Sequence, residues 1–77
     1  MLYYQRWENL RARRYYEIRA YRDLPGDLVV CRVWGGINTK LGSRQLNVVE
    51  SQQEINEIVE TESMRRKKHG YKEVFQR

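Results

Sequence analysis

The chain has 77 residues, of which 40% are hydrophobic and 32% are charged, a balance that is typical of one small folded domain. Its two Trp, six Tyr and one Phe offer large areas for burial, which excludes a low-complexity or disordered chain. The net charge of +5 fits a polyanionic partner, nucleic acid or an acidic protein surface, and it fits equally well a basic surface that serves solubility alone.

The single cysteine and single histidine exclude several classes of protein. Cys31 has no second cysteine to pair with, and Cys31 and His69 together do not make a zinc site. Small secreted domains usually carry several disulfides, so we expect the reducing cytoplasm. The first ten residues have no apolar core typical of a signal peptide, and no apolar run approaches a membrane span. We therefore predict a cytoplasmic protein without a metal, a cofactor or a membrane partner.

The first half of the chain predicts three strands. Leu2 to Glu8 and Arg14 to Arg22 are rich in aromatic residues and are separated by a polar break. Leu24 to Asp27 has the Pro-Gly pair of a tight turn. Leu28 to Trp34 follows that turn as the most apolar strand. The turn predicts an antiparallel hairpin of the second and third strands.

Alternation within these strands separates a core face from an outer face. In the second strand Tyr16, Ile18 and Ala20 are expected in the core, and Tyr15, Glu17, Arg19 and Tyr21 on the outer face. In the third strand Val29, Cys31 and Val33 make one apolar face, and the other face ends in Arg32 and Trp34. We expect this third strand to lie inside the sheet.

The second half predicts a loop, a strand and one helix. Gly35 to Gly42 is the loop, in which Asn38 suits a left-handed backbone, and Ser43 to Val49 is the fourth strand. Ser51 to His69 is the helix, with Ser51 and Glu54 spaced as a capping box and Gly70 as the C-terminal cap. The prediction is an α+β fold: a single domain, residues 1–77, in which one helix packs across one face of a four-stranded antiparallel sheet.

Catalytic chemistry has no support in the sequence. His69 lies in a basic stretch at a helix end, where a solvated capping role is expected. Cys31 belongs to an apolar strand face. Gly35 and Gly36 are not followed by the residues of a phosphate-binding loop. We therefore predict that the chain is not an enzyme and has no small-molecule substrate.

The stretch 31–43, Cys-Arg-Val-Trp-Gly-Gly-Ile-Asn-Thr-Lys-Leu-Gly-Ser, resembles the WGR domain. Arg14 to Ile18 resembles the aromatic first motif of that family, and Arg65 to Tyr71 resembles its closing pattern of basic residues, Gly and Tyr. The resemblance covers residues 13–72. WGR domains occur in poly(ADP-ribose) polymerases, where they bind DNA breaks, in bacterial molybdate-metabolism regulator-like proteins, and as short stand-alone bacterial proteins. This chain resembles the stand-alone form.

The chain departs from the family pattern at two positions. Gly36 stands where the family has Arg, so this position cannot inherit the DNA contact that the Arg makes in the break sensors. Asn38 stands where Gly is common, which is a mild change because Asn tolerates the same backbone.

The resemblance implies a nucleic-acid-binding module, with DNA expected ahead of RNA, and with ends or nicks preferred if the family behaviour carries over. Trp34 would stack on a sugar or base, unless it only closes the sheet. The expected cations, whose alternative is a solvated basic surface, are Arg19, Arg32, Lys40, Arg44, Arg66, Lys67 and Lys68.

Two points about this surface stay open at the level of sequence. If the hairpin register is in phase, Arg19 and Arg32 share one outer face with tyrosines. The alternative function is a protein-interaction or self-assembly module that uses the sheet edges and outer aromatics and binds no nucleic acid.

Overall fold

A computed structural model describes residues 2–40 and 42–75 as a five-stranded antiparallel sheet with one helix. The elements are β1 (Tyr3–Asn9), β2 (Arg14–Arg22), β3 (Leu28–Gly36), β4 (Gly42–Val49), α1 (Gln52–Lys68) and β5 (Lys72–Val74). Across the sheet the strands run in the order β4-β3-β2-β1-β5. The α+β class is confirmed. The helix is neither long nor apolar enough to cross a membrane, among the residues described.

The predicted count of four strands is wrong by one. β5 pairs with β1 through Arg6↔Val74, Trp7↔Glu73 and Glu8↔Lys72. Its three residues, Lys-Glu-Val, are too few for alternation to show, and only the pairing with β1 makes them a strand. The predicted loop from Gly35 to Gly42 is also shorter, since β3 includes Gly36 and β4 begins at Gly42; Leu41 lies outside the described residues.

The core lies between the sheet and α1. Trp7, Ile18, Val30 and Ile55 have the largest fully buried side chains. They come from three neighbouring strands and the helix, so the helix and sheet are held by apolar burial, worth about 2 kcal/mol for each large side chain. The predicted core face of β2 is confirmed, because Tyr16, Ile18 and Ala20 all belong to this cluster.

The helix ends follow the capping pattern in the sequence. The Ser51 hydroxyl accepts a hydrogen bond from the Glu54 amide at 3.2 Å. The Glu54 carboxylate in turn accepts from the amide of Glu50 at 3.3 Å, one residue before the position that a capping box would use. Gly70 has φ +86° just after the helix, so the expected glycine cap is confirmed.

The loop between β3 and β4 turns at Asn38, whose φ of 62° confirms the left-handed backbone expected there. Ile37 donates a backbone hydrogen bond to the Arg13 carbonyl at 2.9 Å, which ties this loop to the turn between β1 and β2. Both connections therefore lie at one end of the sheet.

Candidate functional site

A groove of about 290 Å³ opens between the second half of α1 and strands β2, β3 and β4. The apolar stripe of the helix, which includes Ile55, Ile58 and Val59, is followed on the same side by Glu62 and Arg66. The helix therefore faces this end of the sheet with polar groups. We call the site the arginine–aromatic groove; it is lined by Arg14, Tyr16, Arg32, Trp34, Gln45, Glu62, Arg65, Arg66 and Tyr71.

Three aromatic rings stand side by side beneath the groove. Trp7, Tyr16 and Trp34 occupy directly opposed positions on β1, β2 and β3, so the register of the sheet aligns them. The Tyr16 and Trp34 rings are stacked, with centroids 6.3 Å apart and planes at 18°. Trp7 and Tyr16 are tilted at 56° with centroids 6.2 Å apart. Trp34 is partly buried against the core, and it also lines the groove.

Arg66 is held between two tyrosine rings. Its guanidinium carbon lies 4.4 Å from the Tyr16 centroid and 5.2 Å from the Tyr71 centroid. Such cation–π contacts fix a cation without neutralising it. The buried Nε atoms of Arg66 and Arg32 find no hydrogen-bond partner among the described residues. These two N–H groups are also buried from solvent, so they do not by themselves offer a contact to an incoming acceptor.

Among the described residues, Glu62 is the one carboxylate that lines the groove, and it is only 3% exposed. Arg65 donates to its Oε1 at 3.0 Å. Burial raises the pKa of Tyr16 to about 12, and the hydrogen bond and negative charge of Glu62 add to the rise. Glu62 therefore offsets one cation and leaves the groove positive.

Three arginines of the groove have no ion pair among residues 2–40 and 42–75: Arg14, Arg32 and Arg66. Two of them, with Trp34, are residues that the sequence predicted for binding. The structure therefore brings Arg32, Trp34 and Arg66 together in one concave site.

Four other predicted residues lie elsewhere. Lys40 is exposed in the loop after β3. Arg44 is opposite Val33 on the helix-free face of the sheet, whereas its neighbour Gln45 lines the groove. Lys67 and Lys68 are exposed at the end of α1, where Lys67 borders a separate cavity.

Arg19 and Arg32 do not share a face, because the in-phase hairpin register that this required is not the one formed. The β2–β3 register pairs Arg19 with Cys31 and Ile18 with Arg32. Because directly opposed residues point to the same face, Arg32 lies on the helix side and Arg19 on the helix-free side. The hairpin closes at Arg22↔Leu28, and this sets the two arginines out of phase by one residue.

On the helix-free face, Arg19 is engaged by a buried carboxylate. Glu17 is 4% exposed and accepts from Arg19 Nη2 at 2.8 Å, from Arg6 Nη1 at 2.6 Å and from the Tyr4 hydroxyl at 3.0 Å. Burial alone would raise the pKa of Glu17, but these hydrogen bonds outweigh burial and lower it. Much of the charge of Arg19 is thereby offset within the chain.

Sequence reasoning missed several groove residues for which signals existed. Arg14 lies two residues before Tyr16, so alternation places it on the core side of β2 rather than in a solvated turn. Glu62 follows Ile58 by four residues, which is the spacing of the buried helix stripe. The further missed residues are Gln45, Tyr71 and, as a site residue, Tyr16.

Gly36 and Arg14 are direct partners across the β2–β3 ladder. A Cβ atom on Gly36 would lie 3.2 Å from the Thr39 hydroxyl oxygen, so a side chain there requires only a small shift of an exposed threonine. Arg14 therefore supplies a cation beside the position at which this chain has no side chain, and both residues also line a second cavity of about 490 Å³ beside Trp34.

The residues that the structure describes contain no group of three or more His, Cys, Asp or Glu arranged to hold a metal ion. No family model, curated protein or solved structure matches the chain.

Proposed function

We propose that the chain is a nucleic-acid-binding module, acting without catalysis, that takes DNA in preference to RNA. The observation that carries the proposal is the set of three groove arginines, Arg14, Arg32 and Arg66, that have no carboxylate partner among the described residues. Guanidinium groups without a carboxylate partner, placed beside an aromatic ring, suit a phosphate–sugar backbone, since their positive charge attracts phosphate oxygens and sugars or bases pack on the ring.

Each groove residue has a separate role in this proposal. Arg32 and Arg66 donate to phosphate oxygens from positions fixed by the sheet and by two tyrosine rings. Trp34, supported from behind by Tyr16, presents the rest of its ring to a sugar or base. Arg14 replaces the cation that position 36 lacks. These contacts read charge and shape rather than base edges, so little sequence preference is expected.

The preference for DNA ends or nicks is the finer part of the proposal, and it depends on the resemblance to WGR domains. The groove is concave and lies between α1 and the sheet, and we infer that this shape favours a strand terminus over a continuous duplex. Arg14, the exposed first residue of β2, lines both cavities and is the cation that we expect to contact such a terminus.

The test is a fluorescence-anisotropy titration with two matched DNA duplexes, one closed by hairpins and one nicked with a 5′-phosphate, at low and near-physiological salt. The chain offers a matched pair of variants on one strand. Arg14→Gln removes a groove cation, and Arg22→Gln removes an exposed cation at the far end of β2, about 27 Å away. We expect Arg14→Gln to weaken binding about fivefold to tenfold and Arg22→Gln to change it little.

Tighter binding to the nicked duplex at near-physiological salt, lost in Arg14→Gln, would support break recognition. Equal binding to both duplexes, with Arg14→Gln and Arg22→Gln weakened alike, would show that the groove is not the site. The same titration with a matched RNA duplex tests the preference for DNA.

A further inference from the structure

The two edges of the sheet are very different. β5 forms one edge with only three residues, and two of them are the exposed Lys72 and Glu73. β4 forms the other edge with eight residues, of which seven are exposed. Its pairing with β3 runs unbroken from Leu28↔Val49 to Gly35↔Gly42, with no bulge. A long, regular edge strand leaves its outer N–H and C=O groups free to pair with another strand.

The helix-free side of this edge is apolar. Leu46 and Val48 point to that side and are 52% and 67% exposed. They lie directly opposite the buried Cys31 and Val29 of β3, so the exposed apolar surface is that of β4 itself, at the very edge of the sheet. Soluble proteins usually place charged residues or proline on such an edge, but Arg44 is the only charged residue within β4.

We propose that β4 pairs with β4 of a second copy of this chain, antiparallel and about a two-fold axis at Asn47. In this register Leu46 lies opposite the second copy's Val48, and Val48 opposite its Leu46. Arg44 lies opposite the second copy's Glu50, the residue immediately after β4. Each contact occurs twice because of the symmetry, which gives four apolar side chains between two pairs of opposite charges.

Neighbouring registers are less favourable. A two-fold axis at Leu46 places Arg44 opposite Val48, and an axis at Val48 places Glu50 opposite Leu46. Each of these puts a charge against an apolar side chain and leaves it without its partner. Charge complementarity therefore selects the axis at Asn47.

The proposed dimer has one continuous sheet with both helices on the same side, because a two-fold axis normal to a sheet keeps each face on its own side. The arginine–aromatic grooves of both copies then open toward the same side. The inference does not depend on the proposed nucleic-acid function, since β4 contributes only Gln45 to the groove.

The mass of the full chain in solution is the first test. In size-exclusion chromatography with light scattering over a wide range of concentration, the measured mass should approach twice the 9.4 kDa of one chain.

Arg44→Glu or Glu50→Arg alone should raise the dimer dissociation constant about tenfold, and the double variant should restore the original value. The rescue is intermolecular, because positions 44 and 50 of one chain are about 20 Å apart along the strand. Arg22→Glu is the charge-reversal control.

Cysteine crosslinking tests the register with variants that change little else. In a Cys31→Ala background, Asn47→Cys meets its own copy across the axis and should form a disulfide-linked dimer under mild oxidation. Gln45→Cys, on the same strand and face, is about 14 Å from its copy and should not. Three results would overturn the proposal. The first is the mass of a single chain at every concentration, and the second is a double charge variant that dimerises as weakly as the single variants. The third is equal crosslinking of Asn47→Cys and Gln45→Cys.

Discussion

Two buried glutamates, Glu17 and Glu62, offset arginine charges on different sides of the molecule. On the helix-free face Glu17 binds both Arg6 and Arg19, at 2.6 and 2.8 Å. On the helix side Glu62 forms an ion pair with a single arginine among the described residues, Arg65, at 3.0 Å. Arg6 and Arg19 therefore form a closed network on the helix-free face, whereas Arg14, Arg32 and Arg66 of the groove have no ion pair among the described residues.

Glu17→Gln should lower the free energy of unfolding by about 2–3 kcal/mol at pH 7. The change removes the charge that two arginines share in a nearly buried position, and charged hydrogen bonds in such positions are among the more costly to lose. Urea unfolding followed by circular dichroism gives the value. Glu60→Gln on the exposed face of α1 is the control and should change it little.

The effect of Glu17→Gln should depend on pH in one direction. Because the pKa of Glu17 is lowered in the folded chain from 4.5, its charge stabilises the fold fully above that value and progressively less as the pH falls below it. The stability gap between the two proteins should narrow in acid. If the difference in free energy of unfolding between the two proteins stays constant from neutral pH to below pH 4, then Glu17 contributes sterically rather than through its charge.

Tyr16 should make the stability of the fold depend on pH in the alkaline range. Its pKa of about 12 in the folded chain, against 10.0 otherwise, means that the neutral hydroxyl is favoured by folding. This contribution is complete below pH 10 and is lost as the pH rises toward 12. Glu62→Gln removes the neighbouring negative charge, so the pKa of Tyr16 should fall in an ultraviolet titration. An unchanged titration in Glu62→Gln would assign the whole shift to burial.

Among the elements, α1 is the one whose N-terminus is capped by a single polar side chain, that of Ser51. Ser51→Ala removes the acceptor for the Glu54 amide and should lower the free energy of unfolding by about 1 kcal/mol. Ser51→Asp should retain the stability, since Asp caps as well and also favours the positive end of the helix dipole. Urea unfolding of both variants measures the effect. Equal losses in both would mean that the Ser51 hydroxyl does not cap the helix in solution.

Sequence patterns predicted the elements that have their own periodicity. Alternation identified β2 and β3 within one residue or two of their bounds, and capping residues marked both ends of α1. β5 could not be predicted in this way, because its three residues become a strand only through β1. The relation of Arg19 to Arg32 depended on the hairpin register, which the turn residues alone do not fix.

The groove was predictable only in part, because local patterns do not show which elements come together in the fold. Arg32 and Trp34 are two residues apart on one strand, so their common face follows from alternation. Arg66 joins them because α1 crosses this part of the sheet, a tertiary fact that no local pattern contains. Arg14 opens the predicted second strand, and alternation places it on the same side of the strand as Tyr16, but it was not predicted as a site residue.

At the scale of the whole molecule, the contrast between groove arginines without an ion pair and arginines bound by Glu17 should appear in the salt dependence of nucleic-acid binding. If three groove arginines each contact a phosphate, the logarithm of the association constant should fall with the logarithm of salt at a slope of about −3. Arg14→Gln should reduce the slope by about 1, and Arg19→Gln should leave it unchanged because that cation is held by Glu17. Anisotropy titrations at several salt concentrations measure all three slopes.

The pairing of β5 with β1 has a consequence for how the chain is made. A chain emerges from the ribosome N-terminus first, so β1 to β4 can form their hairpins in order while the helix is still to come. Until α1 follows, Ile18 and Val30 have no layer above them, and β1 lacks its second neighbour until β5 has been made. The nascent sheet thus exposes an apolar face and two open edges, the kind of surface through which incomplete chains associate.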